Sequence, residues 1–221
     1  MTDADTRHTI MAATYEALCE VGYSDLTAQA IADRTDRSKS ALFYHYDSRE
    51  ELVAAFIEYL IDGFDGRLEQ IDDRPPLEQL TAFVDWFLSG PDDDQVAFHT
   101  AFLELRAQAP YNELYREKLR ESDDRLREAI ETILRNGIES GDFQEHDPET
   151  VAALLLATFD GARIRQFTLG RDEYLETVRE ETAARILADV LAPGVELPAE
   201  SQVEFPRDER FHDGDAGDRP E

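Results

Sequence analysis

The sequence predicts an all-α fold. Apolar residues recur at spacings of three and four along most of its 221 residues, no segment alternates apolar and polar residues between hairpin turns, and prolines and glycines punctuate the periodic runs. That punctuation divides the chain into about nine helices. They group into a three-helix unit over residues 1–50, a larger helical body over 51–192, and a tail over 193–221. The tail is acidic, rich in Pro and Gly and poor in apolar residues, a composition that predicts disorder.

The first helix runs from about Arg7 to Val21, with Ile10, Met11, Thr14, Ala17, Leu18 and Val21 on one face, and Gly22 ends it. A short second helix follows Thr27, turns Ala28, Ile31 and Ala32 inward, and stops near Thr35. Ser38 caps a third short helix that reaches about Tyr44. Ser48-Arg49-Glu50-Glu51 is a capping box, and it opens a fourth helix through Leu52, Phe56, Tyr59, Leu60 and Phe64 to roughly Ile71. Arg74-Pro75-Pro76 breaks the chain and restarts it through Leu77, Leu80, Phe83, Val84 and Phe87, until Ser89-Gly90-Pro91 breaks it again. The sixth helix covers about Asp92 to Gln108, and the seventh about Tyr111 to Glu139, with Gly141 beyond its end. Asp147-Pro148 caps and starts the eighth, which reaches Gly170; the last spans about Arg171 to Leu191 and stops at Pro193-Gly194.

Twenty-two basic residues against 50 acidic ones give a formal net charge of −28 and a pI near 4.3. Lys39 and Lys118 are the only lysines. The balance resembles that of proteins from salt-accumulating halophiles. An acidic chain is a poor partner for nucleic acid at low salt, but in roughly molar salt the Debye length falls to about 3 Å and the repulsion scarcely extends past contact. Phosphate contacts weaken in the same salt, so recognition shifts toward base edges and packing. No apolar run approaches the roughly 20 residues of a membrane span, and Met1-Thr2-Asp3-Ala4-Asp5 lacks the basic and apolar regions of a signal peptide. A cytoplasmic location without a membrane partner is therefore expected. Cys19, the single cysteine, allows neither an intrachain disulfide nor a cysteine-rich metal site.

Two short helices behind a longer packing helix make a helix-turn-helix, which places one helix in a DNA major groove about 12 Å wide. Thr27 stands at a helix start, where a hydroxyl and free amides grip a phosphate. Asp36 suits the left-handed turn. The third helix buries Leu42 and leaves Lys39, Ser40, Ala41, Tyr44 and His45 outward. Arg34, Arg37, Lys39 and Arg49 cluster in a chain otherwise starved of positive charge.

Through Leu26-Thr27, Ile31-Ala32, Ser38-Lys39-Ser40-Ala41-Leu42-Phe43-Tyr44-His45-Tyr46 and Ser48-Arg49-Glu50-Glu51-Leu52, the chain resembles the TetR family over roughly Ile10 to Phe56. The resemblance implies that Lys39, Ser40, Ala41, Tyr44 and His45 contact bases or phosphates, and that Thr27, Ser38 and Arg49 anchor phosphates. Phe43 stands where the family usually has tyrosine and lacks that hydroxyl. Asp36 and Arg37 replace the family's common glycine and small apolar residue; Arg37 either reaches phosphate or pairs locally with Asp33 or Asp36. Tyr46 is read as a core residue of the three-helix unit.

On the eighth helix Ala153, Ala157 and Gly161 lie four apart, a small-residue stripe that another helix can approach closely; Val178 and Ile186 belong to the stripe of the last helix. The TetR resemblance implies a homodimer through these two helices, and a two-fold dimer sets two recognition helices about 34–36 Å apart on operator DNA. The body itself, through Phe98-His99-Thr100-Ala101-Phe102-Leu103-Glu104-Leu105, Gly141-Asp142-Phe143 and Phe159-Asp160-Gly161, resembles the BetI-type branch. Phe64, Trp86, Phe102 and Phe159, with Arg163 as an anchor for a carboxylate or phosphate, are candidates to line a pocket for a small-molecule effector; plain core packing is the competing reading for each ring.

An enzyme is not expected. The chain has no phosphate loop, no GxSxG elbow, no HExxH and no cysteine-histidine constellation, its five histidines are dispersed, and its one Glu-x-x-His, at Glu209 and His212, lies in the tail. No cofactor or metal is expected. The function predicted is a sequence-specific transcriptional repressor released by a small ligand; an activator of the same shape, or a protein-binding scaffold without an inducer, are the alternatives.

Overall fold

The computed structural model describes residues 3–35, 42, 44–88, 93–197, 204–206, 208 and 210. Among these the chain is helical, with α1 (Asp3–Val21), α2 (Ala28–Ala32), α3 (Arg49–Glu69), α4 (Pro76–Leu88), α5 (Asp93–Gln108), a 3₁₀ turn at Ala109–Tyr111, α6 (Glu113–Ser140), α7 (Pro148–Leu169), α8 (Asp172–Glu181), a π-helical segment at Thr182–Leu187, and α9 (Ala188–Val190). Leu42, Tyr44 and His45 are also helical.

Local chemistry sets most boundaries. The Thr27 hydroxyl accepts from the Ala30 amide at 3.0 Å and starts α2. Ser48 Oγ accepts from the Glu51 amide at 3.1 Å, while the Glu51 carboxylate reaches back to the Asp47 amide at 2.9 Å, one residue earlier than a standard box. Asn112 caps α6 through Tyr115 N, and Asp147 caps α7 ahead of Pro148. Gly141 and Gly170, at φ +86 and +59, end α6 and α7 in the left-handed conformation that glycine adopts without penalty.

Two hydrophobic cores result. The first gathers Ile10, Met11, Leu18, Leu26, Ile31 and Leu42 with Leu52, Phe56 and Ile57 of α3, and takes in Ala101 and Leu105 of α5 and Tyr115 of α6. Apolar contact thus runs straight across the expected division at residue 50. The second joins α3, α4, α6, α7 and the last helices through Phe64, Leu80, Phe83, Ile130, Leu134, Phe143, Leu155 and Phe159. α6 packs along α3, α4 and α7 and is the central helix.

Three features depart from the sequence reading. The last helix is interrupted by the π segment, where Thr182 is buried. An isolated antiparallel bridge joins Phe143 to Leu191, closed by Gln144 N to Val190 O at 3.0 Å and Ala192 N to Asp142 O at 2.9 Å. The tail expected to lack structure instead sends Phe205 into the second core, 3% exposed. Average composition predicts disorder, but it does not register a single aromatic ring that meets an apolar surface.

Candidate functional site

The N-terminal core leaves one face free. Leu42 is 1% exposed and fixes its helical turn to Ile31 and Leu52, whereas Tyr44 is 87% exposed and His45 is exposed beside it. Their rings meet edge-on with centroids 5.3 Å apart. Tyr46, half-buried, packs against the same core as Leu42. The surface presented is therefore an aromatic ring and an imidazole, side by side. Both donate and accept hydrogen bonds and both stack on apolar groups. Arg37, Ser38, Lys39, Ser40 and Ala41, with Asp36 and Phe43, lie outside the described residues.

Thr27 is exposed at the start of α2; its oxygen serves the Ala30 amide, and its hydroxyl proton remains able to donate outward. Arg49 does not face outward as a free phosphate anchor. Its Nη2 donates to Tyr23 O at 2.6 Å, its guanidinium lies 4.5 Å from the Tyr23 ring centre, and its Nε is buried with no hydrogen-bond partner. Arg34 is likewise engaged, in an ion pair with Glu20 and a bond to Ala30 O. In so acidic a chain a cation finds a partner in its own fold, and the cationic cluster expected from the sequence is reduced at these two positions.

Sequence reading missed a hub behind this face. Tyr23, in the turn after α1, receives Arg49 on its ring and carbonyl, donates its hydroxyl to Tyr115 at 3.3 Å, and gives its amide to Glu104 of α5 at 2.9 Å. The Ser24 amide joins the same carboxylate at 3.3 Å. Burial raises the Tyr115 hydroxyl well above its ordinary pKa, so it stays protonated. Glu104 is an acid inside an apolar run, and that was the available clue.

Of the body residues proposed to line a pocket, Phe64, Trp86 and Phe159 share the second core through Phe87, Arg163 reaches Trp86 O, and Phe102 lies apart from them. Phe102 stacks on Phe98 in the N-terminal core, because both sit on the α5 face that meets α1. Phe159 stacks on Phe87 at 5.0 Å, and Phe64 on Trp86 at 5.8 Å, with Phe205 inserted beside the latter pair. Arg163 donates to Gln166 Oε1 and to Trp86 O, and burial lowers its guanidinium to about 10, still charged at neutral pH. On α7, Ala153 and Ala157 are exposed and Gly161 is half-exposed, alongside the exposed Leu154 and Ile164; Val178 and Ile186 rest partly against their own core.

This geometry has known counterparts. Residues 10–56 match the model of bacterial regulatory proteins of the tetR family, and residues 76–193, more than half the chain, match that of the BetI-type transcriptional repressor C-terminal domain. The chain belongs to the TetR family. A solved TetR transcription regulator from Haloarcula marismortui is 37% identical, with 85% of this chain and 99% of that one covered at a TM-score of 0.77. A transcriptional regulator from Saccharomonospora viridis, solved with choline, is 20% identical and shares the fold at a TM-score of 0.71, with 86% and 99% covered. FadR from Bacillus subtilis, solved with stearoyl-CoA, is 20% identical at 0.63, with 78% and 95% covered. An HTH-type transcriptional regulator from the lacX 3′ region of Lactococcus lactis is 28% identical over 93 residues, 38% of this chain and 45% of that protein, so the match spans less than half that relative's length. As a TetR-family protein this chain is a DNA-binding transcriptional regulator and not an enzyme. Among the described residues no helix is long and apolar enough to cross a membrane.

Proposed function

We propose that this TetR-family chain is a cytoplasmic, homodimeric repressor that occupies operator DNA and is released by a small-molecule effector in its body. The observation that carries the reading is the contrast between buried Leu42 and the exposed Tyr44 and His45 two and three residues on. Tyr44 and His45 of that turn and Thr27 at the start of α2 supply base-edge and phosphate contacts in this reading, and the same role falls to Arg37, Ser38, Lys39, Ser40 and Ala41, which lie outside the described residues. Arg49 acts by holding the Tyr23 turn in place. The exposed strip of Ala153, Leu154, Ala157, Gly161 and Ile164 supports a dimer through α7. Choline and stearoyl-CoA in the solved neighbours support an apolar or amphipathic effector. The acidic surface and the Haloarcula relative support operation in high salt.

The test is binding to DNA upstream of the chain's own gene, measured in molar potassium chloride. Intact protein should bind with a Kd far below that for unrelated DNA. Tyr44→Ala with His45→Ala should remove at least a hundredfold of that preference while the dimer stays folded. Unchanged operator affinity in the double variant would sink the assignment.

A further inference from the structure

The tail places a ring and a carboxylate in the body. Phe205 stacks on Trp86 at 4.6 Å, meets Phe83 edge-on at 5.8 Å and lies parallel to Phe64 at 6.0 Å. The Arg67 guanidinium covers this box, 5.0 Å from the Trp86 ring and 5.7 Å from Phe205. Three residues on, Asp208 grips Arg210 through two bonds of 2.7 and 2.8 Å, and its charge is felt at Arg67. Burial tends to raise the Asp208 carboxyl, but the Arg210 bond and the Arg210 and Arg67 charges outweigh it and keep it ionised. Arg210 in turn donates to Tyr59 O at 2.8 Å and lies 4.1 Å over the Tyr59 ring. Gly63 makes the room: a β-carbon there would stand 1.4 Å from Arg210 Nη2.

We propose that the Phe64–Phe83–Trp86 box beneath Arg67 is a binding site for aromatic carboxylates, and that Phe205 with Asp208 is its built-in competitor. This deepens the effector reading above and rests on it. The docked segment has the chemistry of the ligand it stands in for, an arene joined by a short link to an anion held among guanidinium groups. Ordering a tail costs conformational entropy that offsets much of what one buried ring returns, so the contact is open to competition. Tyr59, Gly63, Phe64 and Arg67 all belong to α3, whose first turn carries Arg49 against Tyr23. Exchange of tail for ligand therefore acts on the helix that leads to the reading face.

Trp86 is the only tryptophan, so its fluorescence reports the box alone. The full-length chain, Phe205→Ala and Gly63→Ala are compared with 4-phenylbutyrate and its uncharged analogue 4-phenylbutan-1-ol. Both variants should shift Trp86 emission and at least double its quenching by acrylamide. Phenylbutyrate should bind Phe205→Ala at least tenfold more tightly than the intact chain, and the alcohol at least tenfold more weakly than the acid. Unchanged emission in both variants, equal affinity for intact and variant chains, or equal binding of acid and alcohol would each overturn the proposal. Should Phe205→Ala lose helical circular dichroism, Gly63→Ala, which suits a helix, decides alone. Phenylbutyrate bound in the box without any loss of operator affinity supports the site and counts instead against effector release.

Discussion

The carboxylate of Glu104, near the C-terminal end of α5, accepts a hydrogen bond from the backbone amide of Tyr23, 81 residues earlier in the chain and just past the end of α1. No helix or sheet ladder serves that amide or its Ser24 neighbour, so the body supplies the acceptor for the turn that positions α2. Glu104→Ala should cost about 1–3 kcal/mol, the penalty for stranding half-buried donors. Glu104→Gln, which keeps a carbonyl acceptor, should cost less. Urea unfolding measures both, and equal stability of wild type and Glu104→Ala would show that water replaces the carboxylate without loss.

Gly137 on α6 lies directly under the Phe143 ring, and a β-carbon would meet it at 2.0 Å. Phe143 cannot withdraw easily: it is buried, its amide binds Gly137 O at 2.9 Å, and the bridge to Leu191 holds its backbone. The overpacking in Gly137→Ala, about 1–3 kcal/mol, should exceed the helix-propensity gain of at most about 1 kcal/mol. The melting temperature should fall; a rise would mean that the ring relocates freely.

His99 stacks on Phe167 at 5.0 Å, and burial, with a contribution from the Arg163 charge, lowers its imidazole to about 4 from an ordinary 6.5. Between those values the unfolded chain takes up a proton that the folded chain refuses. Stability from this residue is therefore present above pH 6.5 and is lost as the pH falls toward 4, on the order of 3 kcal/mol if the whole shift is realised. His99→Gln should flatten the stability profile in that window relative to wild type. Parallel profiles would exclude the imidazole as the source.

Ala157 sits in the centre of the exposed α7 strip, between Leu154 and Ile164. In the dimer proposed through α7, Ala157→Glu would add bulk and like charge across the two-fold axis. Light scattering should then report a monomer at concentrations where the wild type is a dimer, with helical content unchanged. A dimer that survives the substitution would place the interface elsewhere.

Elements set by local chemistry were legible in the sequence: Thr27, Ser48 and Asp147 at helix starts, Gly141 as a stop, and Leu42 as the inward residue of its turn. Their signals lie within four residues of the effect. Partners far apart in the chain were not. Arg34 and Arg49 read as members of a cationic cluster, because Glu20 and the Tyr23 ring become their neighbours only after α1 and α3 pack. Phe102 joined the wrong aromatic group for the same reason, since periodicity shows that a ring faces inward but not which core it enters. Phe205 was hidden by an average over the acidic segment around it.

The sharing of Leu105 and Tyr115 with the N-terminal core bears on attempts to build hybrid regulators. A reading head cut after residue 50 and grafted to a foreign sensor would lose Leu52 and Phe56 of α3 together with Ala101, Leu105 and Tyr115, all members of the core that holds Ile10, Leu18 and Leu42. The transferable unit is larger than the sequence motif, and a functioning chimera of this protein needs the supporting face of its sensor carried along with the head.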